Sequence, residues 1–237
     1  MKALVFNKPH EMVVTDMPKP EIGEGEALIA VKYCGICGTD VTVFNGGHAT
    51  AKYPVIPGHE FVGELVEIKG AGSDMFKIGD RVCAQEVVSC GHCAACARGE
   101  DNVCENLQVI GVHTNGGFAE YVRVKANKMY KLPDNVDLKT AAIVEPLAVA
   151  VHDVRRSGLQ VGETALVVGA GPIGLLVALV ARCAGARKVV VSEAMPSRRA
   201  FAEKLGFPTV DPLSTDFTAR MAELSERGFA VSFETGG

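Results

Sequence analysis

No block of lysine and arginine, no low-complexity tract and no internal repeat marks the 237-residue sequence. Lysine plus arginine number 24 against 28 aspartates and glutamates, a formal net charge of -4. A basic stripe for nucleic acid is absent, and nucleic acid is not an expected partner. The opening Met1-Lys2-Ala3-Leu4-Val5-Phe6 lacks the long apolar core and small-residue cleavage site of a signal peptide and reads as a strand, which sets a cytoplasmic expectation. One stretch, Thr164 to Ala181, is uncharged for long enough to raise the question of a membrane span. Gly169-Ala170-Gly171-Pro172 interrupts it near its centre, and a buried parallel strand followed by a packed helix accounts for the same apolarity. What remains is ordinary for a soluble globular protein, with 48% apolar and 22% charged residues. The length suffices for one large domain or two modest ones.

Turn residues divide the chain into two styles. From Met1 to about Arg155, short strands alternate with glycine and proline: Glu26 to Lys32, Gly63 to Ile68, Arg81 to Val87 and Phe118 to Val124. Gly23, Gly25, Gly70, Gly72, Gly79 and the pair Gly116-Gly117 punctuate them, which predicts a mostly β domain, a distorted barrel, over 1–155. From about Gly158 the period lengthens. Thr164 to Val168 is expected as a strand, Pro172 to Ala184 as a helix and Lys188 to Ser192 as a strand. A helix opened by Pro196 and closed by Gly206 follows, then a helix from Asp216 to Arg227 and a strand from Phe229 to Phe233. This is an α/β pattern, half of a doubly wound parallel-sheet dinucleotide fold over 156–237, and the other half of such a fold is expected beyond Gly237.

Four of the eight cysteines fall close together. Cys90, Cys93 and Cys96 are each two residues apart, and Cys104 follows after seven more. Gly91 and Gly99 permit tight turns, and four converging thiolates form a closed structural zinc site. An iron–sulfur cluster has a shorter last spacer and a proline after the final cysteine, where this sequence has Glu105. Disulfides would require an oxidising compartment. His92 lies inside the loop, but four sulfurs fill the coordination shell. Cys83 and Cys183 sit in apolar surroundings, as small packing residues do.

Gly169-Ala170-Gly171-Pro172-Ile173-Gly174 fits GxGxxG after a strand and before a helix, the context in which the backbone approaches a pyrophosphate. Glu193 ends the next strand, about twenty residues on, where an acid accepts hydrogen bonds from the ribose of NAD and repels the 2′-phosphate of NADP. Arg198 and Arg199 lie nearby.

Gly58-His59-Glu60 sets an imidazole beside a carboxylate ahead of the apolar Phe61-Val62. Cys34-Gly35-Ile36-Cys37-Gly38-Thr39-Asp40 lies upstream, and Val144-Glu145-Pro146-Leu147 far downstream. Thiolate, imidazole and carboxylate are the donors of a zinc site with one open position. Spacing does not choose between Cys34 and Cys37.

Together these stretches (CGICGTD, GHEFVG, GDRV, the Cys90–Cys104 loop, GGFAEYV, VEPLAVAVH and VGAGPIG) resemble the zinc-dependent medium-chain alcohol dehydrogenases over essentially the whole chain. The resemblance implies a GroES-like, mostly β catalytic domain followed by a Rossmann NAD-binding domain. It implies that Cys37 and His59 are catalytic zinc ligands, and that Glu60 and Glu145 are acidic ligands or carboxylates that hold a water there. It further implies that zinc lowers the pKa of a substrate hydroxyl, that Thr39 takes part in removing its proton, and that hydride passes to NAD. Many relatives carry histidine where this sequence has Thr42, so the proton exit is left to water or to another group such as His48. Glu145, where ethanol-type members carry cysteine, and the phrase GVHTNGGFAEYV point to the polyol, sugar-acid and threonine group. The expected activity is oxidation of a secondary alcohol, a polyol or sugar acid, by a homo-oligomeric enzyme. The alternatives are L-threonine 3-dehydrogenase and a non-catalytic zinc- and nucleotide-binding protein on the same fold. His10, His113 and His152 belong to no ligand pattern.

Overall fold

A computed structural model describes residues 1–70, 73–225 and 228–236. Gly72, the helix end at Arg227 and the terminal Gly237 lie outside the described residues. The chain divides into two compact units, Met1–Val144 and Glu145–Gly237.

The first unit opens with an antiparallel hairpin, β1 (Lys2–Lys8) and β2 (Glu11–Asp16). Its centre is an antiparallel sheet built from β3 (Glu26–Cys34), β4 (Phe61–Ile68) and β5 (Arg81–Ala84). After a short pair, β6 (Val87–Val88) with β7 (Gln108–Val109), the sheet gains its edge strands β8 (Tyr121–Lys125) and β9 (Met129–Lys131), in the order β8-β3-β4-β5-β9. Among the described residues β8 and β9 do not pair, so this sheet stays open and is not a closed barrel. Ile29, Phe61, Leu65, Val82, Val122 and Val124 fill one cluster beneath it. Burial of each such side chain stabilises by ~1.5–3 kcal/mol. Gly63 has a steric cause. A Cβ there would stand 2.1 Å from the Ala30 carbonyl oxygen, beside a register shift between Val31 and Tyr33 that bends the end of β3.

The expected strand Arg81 to Val87 is two strands. Gln85 donates its amide to Lys128, and Glu86 accepts from Ile110, so the chain changes partners between β5 and β6. Strand β8 starts at Tyr121 rather than Phe118, because Phe118 bonds to Pro57 and Leu4 instead. Three short helices also belong here: α1 (Gly38–Phe44), α2 (Ala94–Ala97) and α3 (Leu138–Ala141).

The second unit begins within α4 (Val144–Arg156), one residue after its start, and Ala150 and Val154 of this helix enter that unit's core. The division therefore falls ahead of the change in rhythm near Arg155. Next come β10 (Thr164–Val168), α5 (Pro172–Cys183), β11 (Lys188–Ser192) and α6 (Pro196–Lys204). They are followed by β12 (Thr209–Val210), α7 (Phe217–Ser225) and β13 (Val231–Glu234). All strand pairs are parallel, in the order β12-β11-β10-β13. The final strand is thus the fourth, not the third: the two-residue β12 is too short to show as a hydrophobic run. In a doubly wound sheet a ligand sits where the strand order reverses, outside the carboxyl ends of the strands, here β10 and β13. No helix among the described residues is long and apolar enough to cross a membrane; the run from Thr164 is β10, a turn and α5.

Candidate metal centres and nucleotide cradle

Cys37 precedes α1 as its N-cap, and Asp40 on the first turn closes the cap by accepting the Cys37 amide at 2.8 Å. The other Asp40 oxygen accepts the amide of Gly58 at 3.1 Å and lies 3.9 Å from His59 Nδ1. One carboxylate, only 3% exposed, thus ties the cysteine-bearing turn to the histidine-bearing one. Gly35 donates its amide to the Glu60 carbonyl at 2.9 Å. A Cβ at Gly35 would stand 2.0 Å from Glu60 Oε2, so the glycine makes room for that carboxylate.

The result is that one donor atom each from Cys37, His59 and Glu60 lies within 4.8 Å of the others. Sulfur, imidazole nitrogen and carboxylate oxygen form a donor set suited to zinc. The electrostatics separate the two neighbouring cysteines. A hydrogen bond from His59 holds the Cys37 thiol below its ordinary value, whereas burial, with Asp40 and Glu60 adding to it, pushes Cys34 up to about 12. Burial also raises the Glu60 carboxyl. Thr39 lies beside the cluster, its hydroxyl 3.6 Å from Cys37 Sγ. Glu145 stands half-buried in the first turn of α4, in the second unit. His48 accepts the Thr50 amide at Nδ1, 3.4 Å away, and among the described residues no hydrogen bond joins it to Thr39.

The four-cysteine loop closes on itself. Its sulfurs lie within 4.8 Å of one another, with Cys93 to Cys96 at 3.5 Å, Cys93 to Cys104 at 3.9 Å and Cys90 to Cys96 at 4.0 Å. A zinc tetrahedron with bonds of about 2.3 Å sets its sulfurs about 3.8 Å apart, whereas a disulfide would need about 2 Å. Amides of Cys96 and Glu105 draw the Cys93 thiol down to about 6, while burial and the neighbouring thiols push Cys96 up to about 11. A dication satisfies all four. His92 turns its Nδ1 to the Cys90 carbonyl at 2.8 Å, outside the sulfur set.

In the second unit Gly169 adopts φ 99°, in the left-handed region that favours glycine, and Gly171 caps α5 with Pro172 in its first turn. Ile173 packs against the unit's core. A Cβ at Gly174 would meet the Gly169 carbonyl oxygen at 2.0 Å, whereas one at Gly171 would meet nothing within 4 Å. Gly174 therefore serves the close approach of helix to turn, and Gly171 leaves open space at the helix N-terminus, as a pyrophosphate requires. Glu193, 7% exposed, accepts the amides of Ala170 at 2.7 Å and Met195 at 2.8 Å. Burial pushes its carboxyl up, but those amides and the charge of Arg198 outweigh it and hold it low. Arg198 is exposed, while Arg199 pairs with Asp211 at 2.8 Å.

Sequence reasoning passed over Asp40 and Gly35. An acid three residues after Cys37, ahead of a helix, was the available signal for the first; nothing local signals the second.

A cluster that could hold a metal ion and a glycine turn with room for a pyrophosphate are the parts that hydride transfer assisted by a Lewis acid requires. Residues 23–134 match the alcohol dehydrogenase GroES-like domain, and residues 172–237 match the zinc-binding dehydrogenase domain. An L-threonine 3-dehydrogenase of Chelativorans sp. is 43% identical over 100% of this chain and 70% of its own length. A 2-dehydro-3-deoxy-L-galactonate 5-dehydrogenase of Pseudoalteromonas atlantica is 44% identical over 98% of this chain and 68% of its own. Among solved structures, a zinc-binding dehydrogenase of Sinorhizobium meliloti 1021 bound to NADP is similar with a TM-score of 0.92 and 37% identity, over 100% of this chain and 70% of that one. The chain belongs to the zinc-dependent medium-chain alcohol dehydrogenase family, oxidoreductases that use zinc and a nicotinamide dinucleotide.

Proposed function

We propose that this protein oxidises a secondary alcohol of the polyol or sugar-acid class and passes the hydride to NAD. The convergence of Cys37, His59 and Glu60 carries the reading. These residues, with Glu145, would hold a catalytic zinc, and Cys90, Cys93, Cys96 and Cys104 a structural one. Zinc, when bound, supplies a Lewis acid that lowers the pKa of the substrate hydroxyl. Thr39 Oγ1 takes the hydrogen bond from that hydroxyl and starts its proton on the way out. Asp40 keeps the cysteine and histidine turns in register. Gly169, Gly171, Pro172, Ile173 and Gly174 cradle the pyrophosphate. Glu193 and Arg198 face the adenosine ribose, where the carboxylate favours NAD over NADP. The first unit supplies the catalytic domain and the second the Rossmann domain. The working form is a cytoplasmic homo-oligomer.

The test is reduction of NAD and of NADP by the zinc-loaded protein against sugar acids, sorbitol, butanediol and threonine. Turnover of a polyol or sugar acid with NAD preferred supports the reading. Turnover of threonine alone moves the protein to the amino-alcohol class. Nucleotide and zinc binding with no oxidation of any secondary alcohol overturns it.

A further inference from the structure

Two histidines without a place in the metal sites meet in the first unit. The rings of His48 and His113 lie edge to face with centroids 6.2 Å apart. Both are fixed by backbone amides: Val109 donates to His113 Nδ1 at 2.9 Å, and Thr50 to His48 Nδ1 at 3.4 Å. A ring nitrogen that accepts an amide proton carries none itself, so the proton of each neutral ring sits on Nε2. His113 Nε2 then donates to Thr50 Oγ1, 2.9 Å away. Thr50 Oγ1 accepts there, so the Thr50 hydroxyl proton stays available to donate elsewhere.

The cluster therefore offers donors: the Thr50 hydroxyl, His48 Nε2–H and the ammonium of Lys52. Burial, with His48 and Lys52 close by, holds His113 below its ordinary pKa, which keeps the ring neutral and the relay through Thr50 in one direction. Among the described residues the hydrogen bonds of His48 and His113 go to Thr50 and Val109, and no acid forms an ion pair with His48, Lys52 or His113. A site of donors and positive charge without a carboxylate of its own suits an oxyanion.

Its position relates it to the chemistry. His48, Thr50 and Lys52 follow α1, whose N-cap is Cys37 and whose length is about 10 Å at about 1.5 Å per residue. The Lys52 amide bonds to the Val112 carbonyl at 3.1 Å. The loop carrying His113 is sewn to the turn before His59, since Gly116 donates to Ile56 and Gly117 to Gly58, each at 2.7 Å. Both segments of the cluster are thus tied by backbone hydrogen bonds or chain continuity to the segments that bear Cys37 and His59.

We propose that Thr50, Lys52 and His48, with His113 orienting Thr50, form a subsite for the carboxylate of the substrate, so that the substrate is a hydroxy acid rather than a neutral polyol. The proposal rests on the alcohol-dehydrogenase reading above and narrows it.

The test compares kcat/KM for an aldonate and for the matching neutral alditol, in the zinc-loaded protein and in Lys52→Gln, Thr50→Val and His113→Gln. Zinc content and thermal unfolding are measured alongside to confirm that each variant folds. The wild type is expected to favour the aldonate at least ten-fold, and each variant to lower the aldonate-to-alditol ratio about ten-fold through KM. Added salt should lower the same ratio. Turnover of both substrates with a ratio near one, or a ratio that no variant moves, overturns the subsite and leaves the dehydrogenase reading standing. Oxidation of neither substrate overturns both.

Discussion

The carboxylate of Asp40 accepts the amide of Cys37 at 2.8 Å with one oxygen and the amide of Gly58 at 3.1 Å with the other. A single buried side chain holds together two turns that are distant in sequence, and each turn carries at least one member of the Cys37, His59 and Glu60 cluster.

Asp40→Asn keeps the shape but presents an NH2 group to one of those two amide donors. Leaving a buried donor unmatched costs about 1–3 kcal/mol. Loss of a carboxylate beside a metal-binding histidine weakens binding about 10–100-fold. Titration with zinc should therefore show the catalytic site weakened and the four-cysteine site unchanged. Equal affinity at both sites in mutant and wild type would refute the role given to Asp40.

Gly35→Ala addresses Glu60. The added Cβ would meet the flexible end of Glu60 at 2.0 Å, so the carboxylate moves and the fold survives. The expected result is a thermal midpoint close to wild type with turnover reduced at least ten-fold. Undiminished turnover would separate Glu60 from the reaction.

The glycines of the nucleotide turn should separate into two kinds. Gly174→Ala drives a Cβ against the Gly169 carbonyl and should destabilise by about 1–3 kcal/mol. Gly171→Ala meets open space at an ordinary φ of -71° and should leave stability within about 0.5 kcal/mol, while weakening NAD binding by occupying the pyrophosphate's approach. Calorimetric NAD titration and urea unfolding on both variants decide the point. Normal NAD affinity in Gly171→Ala would contradict the cradle.

Asp80 links strand ends in the first unit, accepting from Lys131 Nζ at 2.7 Å and from the Lys77 amide at 2.9 Å. Those bonds hold its carboxyl below the ordinary value. A carboxyl depressed in the folded state stabilises fully above its unfolded pKa of about 3.9 and loses that contribution as pH falls through the folded value. The urea midpoint of the wild type should exceed that of Asp80→Asn near neutrality, and the gap should begin to close only as pH falls below about 4. A gap that widens on acidification would reverse the sign.

Much of this was legible in the residues. The four cysteines and GxGxxG announce themselves because each is a local constellation whose spacing alone makes the geometry. The helix α5 and strands β10 and β11 are visible because their apolar residues repeat with a period set by the element itself. Cys37 against Cys34 is different. Spacing treats them alike, and the folded chain separates them by bringing Cys37, not Cys34, beside His59 and Glu60. Strand β12 stays hidden because two residues carry no period. The partner change at Gln85 and Glu86 is invisible because it is decided by Lys128 and Ile110, far along the chain. Asp40 looks like any helix-capping acid until its second oxygen is found on Gly58.

The most direct measurement is the zinc content and NAD-linked alcohol oxidation of Cys37→Ser beside those of Cys93→Ser and the wild type. The wild type should hold zinc at both donor clusters. Cys37→Ser should lose the zinc of one cluster and at least about a thousand-fold in kcat, several kcal/mol of barrier at about 1.4 kcal/mol per ten-fold. It should still bind NAD and unfold near the wild-type temperature, whereas Cys93→Ser should lose the other zinc together with stability. A Cys37→Ser protein that retains full zinc and oxidises alcohols at the wild-type rate would contradict the account at its centre.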